Sequence, residues 1–281
     1  MSYNISMEKY LISFDLDGTL LNKKEKIPFL TRLAISKLLK NKHEVVLNTG
    51  RSIGGVIPFI KELNLYNYPI ICNNGACIYY LNRKNEIIRT IHKEIPSKIV
   101  NLLLNKYKNL FNFVVVFTLE EKYYYKPDSV PSFFQNKCDK KPFHNIENFN
   151  IEDTIIMFSF SVKKELKSKI EKIFEKENKL ELFYWGDEEE NSYYDVVAPK
   201  TSKGYAMIEV AKMLKVKTEN TIAYGDEVND ISMLQMAKHG YFVLNKTSLK
   251  LKEKHDFPIT KKDSNKQGAI SHLYKNHKYL F

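Results

Sequence analysis

The 281-residue sequence has no long apolar run, few cysteines and no internal repeat. No hydrophobic stretch approaches the ~20 residues that a membrane span requires, and Met1–Glu8 lacks the apolar segment of a signal peptide. The three cysteines, Cys72, Cys77 and Cys138, fit no metal-binding spacing and cannot all pair with one another. We therefore expect reduced thiols, no membrane association and a cytoplasmic location.

The composition is that of a globular protein with an excess of basic residues. Hydrophobic residues make up 43% of the chain and charged residues 27%. Lysine and arginine number 44 against 33 aspartates and glutamates, which gives a formal net charge of +11. Many lysines alternate with acidic residues in helical stretches such as 163–167 and 171–176, as on solvated helix faces. We expect no specific nucleic-acid binding, although a non-catalytic basic binding protein is an alternative function.

The first and last parts of the chain alternate short apolar strands with amphipathic helices. This alternation predicts a doubly wound α/β domain with a parallel sheet, formed by residues 1–91 and 193–281. Residues 92–192 mix helices with strands of antiparallel character, which indicates an inserted α+β domain. The predicted core strands are Tyr10–Asp15, Glu44–Asn48, Pro69–Cys72, Thr221–Tyr224 and Gly240–Leu244, and the predicted helices include Thr31–Lys40, Lys163–Glu177, Ser202–Leu214, Asn229–Ala237 and Gln267–Lys275. Asp128–Asn150 is predicted as helix and loop.

Two aspartates follow the first predicted strand, where a doubly wound sheet places its ligands. Asp15 and Asp17 are one residue apart, so one carboxylate faces the expected pocket and the other lies nearby. Such a pair can bind a hard cation through oxygen and still leave an oxygen to attack a substrate. Gly18 permits the sharp exit that this loop needs. A simple turn is the alternative for an isolated Asp-x-Asp-Gly.

Two further clusters suit an anion. Thr49 and Gly50 offer a hydroxyl and backbone N–H groups ahead of a predicted helix, a suitable cradle for phosphate oxygens. An N-cap threonine is the alternative for this segment. Lys203 lies in the first turn of a predicted helix, where its charge opposes the helix dipole and therefore needs an anion nearby. A phosphate or the Asp15 carboxylate would supply that anion, and a surface lysine is the alternative.

The fourth cluster follows the predicted strand Thr221–Tyr224. Asp226 and Asp230 are four residues apart, hence on one face if a helix begins there. Asp226 could complete a metal site with Asp15 and Asp17. Asp230 has a supporting role, either as a helix cap or as a partner of Lys203.

Together the four clusters resemble the motifs of the haloacid dehalogenase (HAD) superfamily, which are DxDGT, a Thr or Ser, a Lys and GDxxxD in this order. The resemblance to the Cof-type subfamily covers nearly the whole chain. It rests on Asp15–Leu20, Asn48–Arg51, Asn73–Ala76, Ser202–Gly204, Gly225–Asp230 and Asp263–Ile270. Glu227 departs from the small residue common at its position and could alter the preferred cation.

The resemblance implies a Mg²⁺-dependent phosphatase that hydrolyses small phosphorylated metabolites, such as sugar phosphates, through an aspartyl-phosphate. Asp15 is implied as the nucleophile and a Mg²⁺ ligand, and Asp226 as the carboxylate ligand. Asp17 is implied to bind Mg²⁺ through its backbone carbonyl and to move protons. The residues implied to hold the phosphoryl oxygens are Leu16 and Gly50 through their amides, with Thr49, Lys203 and Asn229.

The resemblance also implies that residues 92–192 form a C2-type cap that closes over the site and selects the leaving group. Trp185–Glu190 is a candidate selecting region, and a solvated turn is the alternative for Asp187–Glu190. A phosphomutase of the same superfamily is an alternative function, although the segment Thr49–Arg51 differs from that of phosphomannomutases. A non-enzymatic regulator would normally lack a carboxylate or the lysine, and this chain keeps them all.

Overall fold

The computed structural model describes residues 8–119, 122–125 and 144–281, and these residues divide into two compact units. Within the described residues, the first unit contains 8–50, 57–90 and 202–281. The second contains 51–56, 91–119, 122–125 and 144–201.

The strands, in chain order, are β1 (Leu11–Phe14), β2 (Glu44–Leu47), β3 (Ile70–Cys72), β4 (Cys77–Leu81), β5 (Ile87–His92), β6 (Phe113–Thr118), β7 (Lys122–Tyr125), β8 (His144–Asn145), β9 (Ile155–Lys163), β10 (Glu181–Glu188), β11 (Asn191–Val197), β12 (Thr221–Gly225) and β13 (His239–Phe242). The helices are α1 (Phe29–Lys40), α2 (Ile57–Leu63), α3 (Ser97–Tyr107), α4 (Lys167–Phe174), α5 (Lys203–Met213), α6 (Ile231–Met236), α7 (Lys246–Lys252) and α8 (Gly268–Asn276).

The first unit contains a parallel sheet with the strand order β13-β12-β1-β2. β1 pairs in parallel with both β12 and β2, and a parallel bridge from Asn48 to Ile71 brings β3 next to β2. Every residue of β1 is buried, as expected for a parallel strand covered on both faces. Since the strands are parallel, their carboxyl ends share one edge, and Asp15, Thr49 and Asp226 follow three of those ends.

The second unit is a mostly antiparallel sheet with the strand order β10-β11-β9-β6-β7-β8. Alternate residues of β9, such as Phe158, Phe160 and Val162, pack on α3 and α4 in one apolar cluster. Ile170 and Phe174 project from α4 into this cluster. The unit is therefore an α+β module with helices on one face of its sheet.

The structure confirms the predicted fold class, an α/β core with a parallel sheet and a separate α+β module. Helix α4 is shorter than the predicted Lys163–Glu177, because β9 continues through Lys163 and the helix begins only at Lys167. The sequence did not predict α7. The prediction for Asp128–Asn150 lies mostly outside the described residues, and so does Cys138. Among the described residues, no helix has both the length and the apolar character needed to cross a membrane.

Candidate active site

Asp15 lies at the carboxyl end of β1, and its side chain is buried. Residues Leu16–Leu20 form the turn that follows, with Gly18 at φ 75°. A Cβ atom at Gly18 would lie 2.1 Å from Asp226 Oδ2, so only glycine allows the turn to approach Asp226 this closely. Asp17, in the same turn, is partly exposed. The turn therefore brings Gly18 and Thr19 against Asp226, and Asp15, at the start of the turn, lies in the same carboxylate cluster.

Lys203 joins two buried carboxylates. Its Nζ donates to Asp15 Oδ1 at 2.7 Å and to Asp230 Oδ1 at 2.6 Å, and the lysine side chain is 1% exposed. Burial lowers the pKa of Lys203, but the charges of Asp15 and Asp230 outweigh this effect, so the pKa is raised overall. The lysine is therefore a permanent buried cation at the first residue of α5, where Ser202 caps the helix.

Asp230 is fully buried and holds both Lys203 and its own turn. Its Oδ2 accepts hydrogen bonds from the backbone N–H groups of Asp226 at 2.8 Å and Glu227 at 3.0 Å. Asp226 and Asp230 are not paired along a helix, because α6 begins only at Ile231 and the chain between them forms a tight turn. Asp230 takes both of the roles considered for it, since it caps this turn and accepts from Lys203. Lys203 donates to the other oxygen, so the Asp230 carboxylate accepts three hydrogen bonds in all. This is the environment of a residue that holds the lysine and the turn in place.

Asp226 lies directly after β12, and each of its carboxylate oxygens accepts one hydrogen bond. Thr19 Oγ1 donates to Oδ1 at 2.7 Å, and Asn245 Nδ2 donates to Oδ2 at 2.6 Å. Burial raises the pKa of Asp226 well above its usual value, and the charges of Asp15 and Asp230 raise it further, while the bond from Thr19 opposes the rise. The Asp226 carboxylate is therefore held in place by two neutral donors, and neither of them supplies a positive charge.

The cluster suits a metal cation. Asp15, Asp226 and Asp230 offer carboxylate oxygens that lie within 4.8 Å of one another. Burial raises the pKa of Asp15 to about 7, against the effect of Lys203 and with a contribution from Asp230. Within the described residues, the ammonium of Lys203 contacts two of these three carboxylates, and a cation would balance the remaining negative charge. Since Asp230 is already occupied, Asp15 and Asp226 are the carboxylates that could hold a hard cation.

Three residues predicted to hold the phosphate, Thr49, Gly50 and Asn229, follow β2 or lie in the turn before α6. Thr49 is buried, and its backbone N–H donates to Ile71 O at 3.0 Å. Asn229 Nδ2 donates to Asn74 Oδ1 at 2.9 Å. Asn229 Oδ1 is buried, and among the described residues it has no hydrogen-bond partner. Thr49 does not cap a helix, because α2 begins only at Ile57.

Comparisons with known proteins show to which family this chain belongs. The family model of the haloacid dehalogenase-like hydrolases matches residues 12–274 of this chain. The chain belongs to this family. Phosphatase YwpJ of Bacillus subtilis is 27% identical over 252 residues, which cover 82% of this chain and 87% of YwpJ. The 5-amino-6-(5-phospho-D-ribitylamino)uracil phosphatase YwtE of Bacillus subtilis is 27% identical over 278 residues, which cover 90% of this chain and 94% of YwtE.

The fold of this HAD-like hydrolase is also similar to that of a solved HAD subclass IIB sugar phosphatase. The TM-score is 0.78 at 20% sequence identity, and the match covers 97% of this chain and 100% of the other. The predicted membership of the HAD superfamily, Cof type, is confirmed, and the chain is an enzyme of the phosphatase class.

The structure of this HAD-like hydrolase brings four charged residues predicted from sequence into one buried cluster: Asp15, Lys203, Asp226 and Asp230. Asn245 and Asn74, which contact Asp226 and Asn229, were not predicted as site residues. Asn245 comes shortly after β13, so its place beyond the carboxyl end of a parallel strand was a usable signal. Asn74 belongs to the segment Asn73–Ala76 that carries the family resemblance.

The region proposed to select substrates is a β-hairpin. Trp185 and Asp187 belong to β10, with Trp185 at an irregularity in the pairing to β11. Asp187 accepts a hydrogen bond from Ser192 Oγ at 2.6 Å, and this bond lowers the pKa of Asp187. Of the segment Asp187–Glu190, only the last two residues form a turn, because β10 continues through Glu188, and all four residues are exposed.

Proposed function

We propose that this chain is a Mg²⁺-dependent phosphatase that hydrolyses small phosphorylated metabolites through an aspartyl-phosphate on Asp15. The observation that carries the proposal is the buried pair of Asp15 and Lys203. The ammonium occupies Oδ1 of Asp15, and among the described residues no hydrogen bond to Oδ2 is found. Oδ2 is thus an oriented nucleophile beside a fixed positive charge, the arrangement that an attack on an anionic phosphate needs.

The reaction has two steps. Oδ2 of Asp15 attacks phosphorus and the ester P–O bond breaks, while Asp17 donates a proton to the departing oxygen. A water molecule then attacks phosphorus, Asp17 takes up its proton, and cleavage of the P–Oδ2 bond releases inorganic phosphate and restores Asp15. Asp226 and Asp15, with the backbone carbonyl of Asp17, are the proposed metal ligands. When bound, the cation neutralises charge on the carboxylates and the phosphoryl oxygens.

The proposed phosphate contacts come from three segments of the first unit. Lys203 supplies a permanent positive charge. Leu16 and Gly50 supply backbone amides, and Thr49 supplies its hydroxyl. Asn229 supplies the second N–H of its side-chain amide, since the first donates to Asn74. Fixed donors around the transferred group stabilise its developing charge without reorganisation, which is how phosphoryl transfer is mostly accelerated.

The proposed leaving group is a sugar or a related polyol. A ribitylamino-uracil phosphate is the substrate named for YwtE, and the subclass IIB neighbour is named a sugar phosphatase. We assign to residues 92–192 the role of the C2-type cap, and to the whole protein a cytoplasmic location. No nucleic-acid partner is proposed, since the lysines of this chain are interspersed with acidic residues.

The test is phosphate release from a panel of phosphorylated metabolites, with and without Mg²⁺. Asp15→Asn should lower kcat by at least ~1,000-fold, and the matched change at an exposed carboxylate, Asp256→Asn, should leave it unchanged. Turnover of Asp15→Asn within tenfold of the wild type would remove Asp15 from the nucleophile role. Transfer of the phosphoryl group within the substrate, without phosphate release, would favour the phosphomutase alternative.

A further inference from the structure

Asn245 is held in place by several hydrogen bonds besides the one that it donates to Asp226. It precedes α7, and its Oδ1 accepts the backbone N–H of Ser248 at 2.6 Å. In return, Ser248 Oγ accepts the backbone N–H of Asn245 at 2.9 Å. The chain leading to Asn245 is held too, because Val243 N donates to Gly225 O at 2.8 Å and Leu244 N donates to Thr260 Oγ1 at 3.1 Å. The residue is therefore tied both to its helix and to the end of β12.

The helix cap decides which end of the Asn245 amide faces Asp226. Because Oδ1 accepts a backbone N–H, the other end of the amide, Nδ2, must point toward Asp226 Oδ2, 2.6 Å away. The hydroxyl of Thr19 holds the opposite oxygen of the same carboxylate. Both donors are neutral, so they restrict rotation of the carboxylate without cancelling its charge.

We propose that Asn245 is a positioning residue that sets the orientation of the Asp226 carboxylate for a divalent cation. This inference rests on the proposed function, since it takes Asp226 as a metal ligand. With one oxygen held by Asn245 and the other by Thr19, each oxygen keeps lone pairs for a cation. Residues that orient a metal ligand in this way typically change metal affinity or activity by about 10–100-fold when they are replaced.

The test separates this role from helix capping. Asn245→Ser keeps a favoured N-cap residue but removes the amide donor, and Ser248→Ala removes half of the reciprocal cap but keeps the donor. Mg²⁺ affinity of the purified full chain is measured by calorimetry, the Tm without Mg²⁺ by thermal unfolding, and kcat and KM with one active phosphate ester. Asn245→Thr serves as a second capping variant without the amide donor. Asp226→Asn tests the metal ligand itself.

The proposal predicts about tenfold weaker Mg²⁺ binding for Asn245→Ser, with a lower kcat at fixed subsaturating Mg²⁺ and a nearly unchanged Tm. Ser248→Ala should lower the Tm by about 2–4 °C and leave Mg²⁺ affinity within about twofold. Wild-type Mg²⁺ affinity in both Asn245 variants would overturn the inference, and so would an equal loss in Ser248→Ala. If Asp226→Asn then still loses Mg²⁺, the proposed function stands; if it binds Mg²⁺ as tightly as the wild type, the proposed metal site fails.

Discussion

Replacement of Lys203 by methionine removes the cation that lies between Asp15 and Asp230 while keeping most of the side-chain volume. The Nζ lies 2.7 Å from one carboxylate and 2.6 Å from the other, and all three groups are nearly inaccessible to solvent. Removing one partner of a buried ion pair leaves an uncompensated charge and typically costs about 3–5 kcal/mol. Asp15 can take up a proton once Lys203 is gone, because burial already raises its pKa to about 7, so we expect Lys203→Met to fall within that range and not above it.

The assay is urea unfolding at neutral pH without Mg²⁺. The single tryptophan, Trp185, lies in the second unit. Its fluorescence therefore reports that unit, so far-UV circular dichroism is needed to follow the first. The matched control is Lys212→Met, which removes an exposed lysine from the same helix and should cost no more than about 0.5 kcal/mol.

A second variant tests the cause of the loss. Adding Asp230→Asn to Lys203→Met removes one of the two buried charges, and the amide oxygen can still accept the backbone N–H groups of the turn. We expect this double variant to be more stable than Lys203→Met by about 1–2 kcal/mol, as for coupled neighbours. A loss below about 1 kcal/mol for Lys203→Met, or no recovery in the double variant, would refute an ionised buried cluster.

Three further predictions concern the rest of the molecule. Gly18→Ala should destabilise the first unit by more than about 1 kcal/mol, because Gly18 has φ 75° and a Cβ would meet Asp226; a wild-type urea midpoint would contradict this. Burial lowers the pKa of His277 to about 4, with His239 and His272 adding to the effect, so the folded protein keeps this group neutral. Stability should therefore fall as pH drops below about 6.5, by about 2 kcal/mol at pH 5 relative to pH 7. His277→Gln should flatten that profile, and an unchanged slope would show that other groups cause it. Trp185→Ala should change kcat/KM for large phosphate esters by about 1–3 kcal/mol and for a small aryl phosphate by less; equal losses on both would argue against substrate selection by this hairpin.

The charged part of the site was predictable because its residues follow buried strands directly. Asp15 comes immediately after β1 and Asp226 immediately after β12, and parallel strands bring such ends together whatever the details of packing. Lys203 was predictable for a different reason, since a lysine at the start of a helix needs a nearby anion. These inferences use only local sequence and the direction of the strands.

The neutral part of the site depends on contacts that local sequence does not contain. Asn245 reaches Asp226 only because β13 pairs with β12 in one particular register. Asn74 reaches Asn229 across 155 positions of sequence. The spacing of Asp226 and Asp230 did not show where the helix begins, because Asp230 caps a turn and α6 starts only at Ile231.

Trapping the covalent intermediate tests the central claim most directly. Wild-type protein is mixed with a substrate labelled in its phosphoryl group, quenched in acid within one turnover and digested for mass spectrometry. The account predicts that the label is on Asp15 and that Asp15→Asn carries none. Phosphate release without any label on Asp15, or label on another residue, would contradict it.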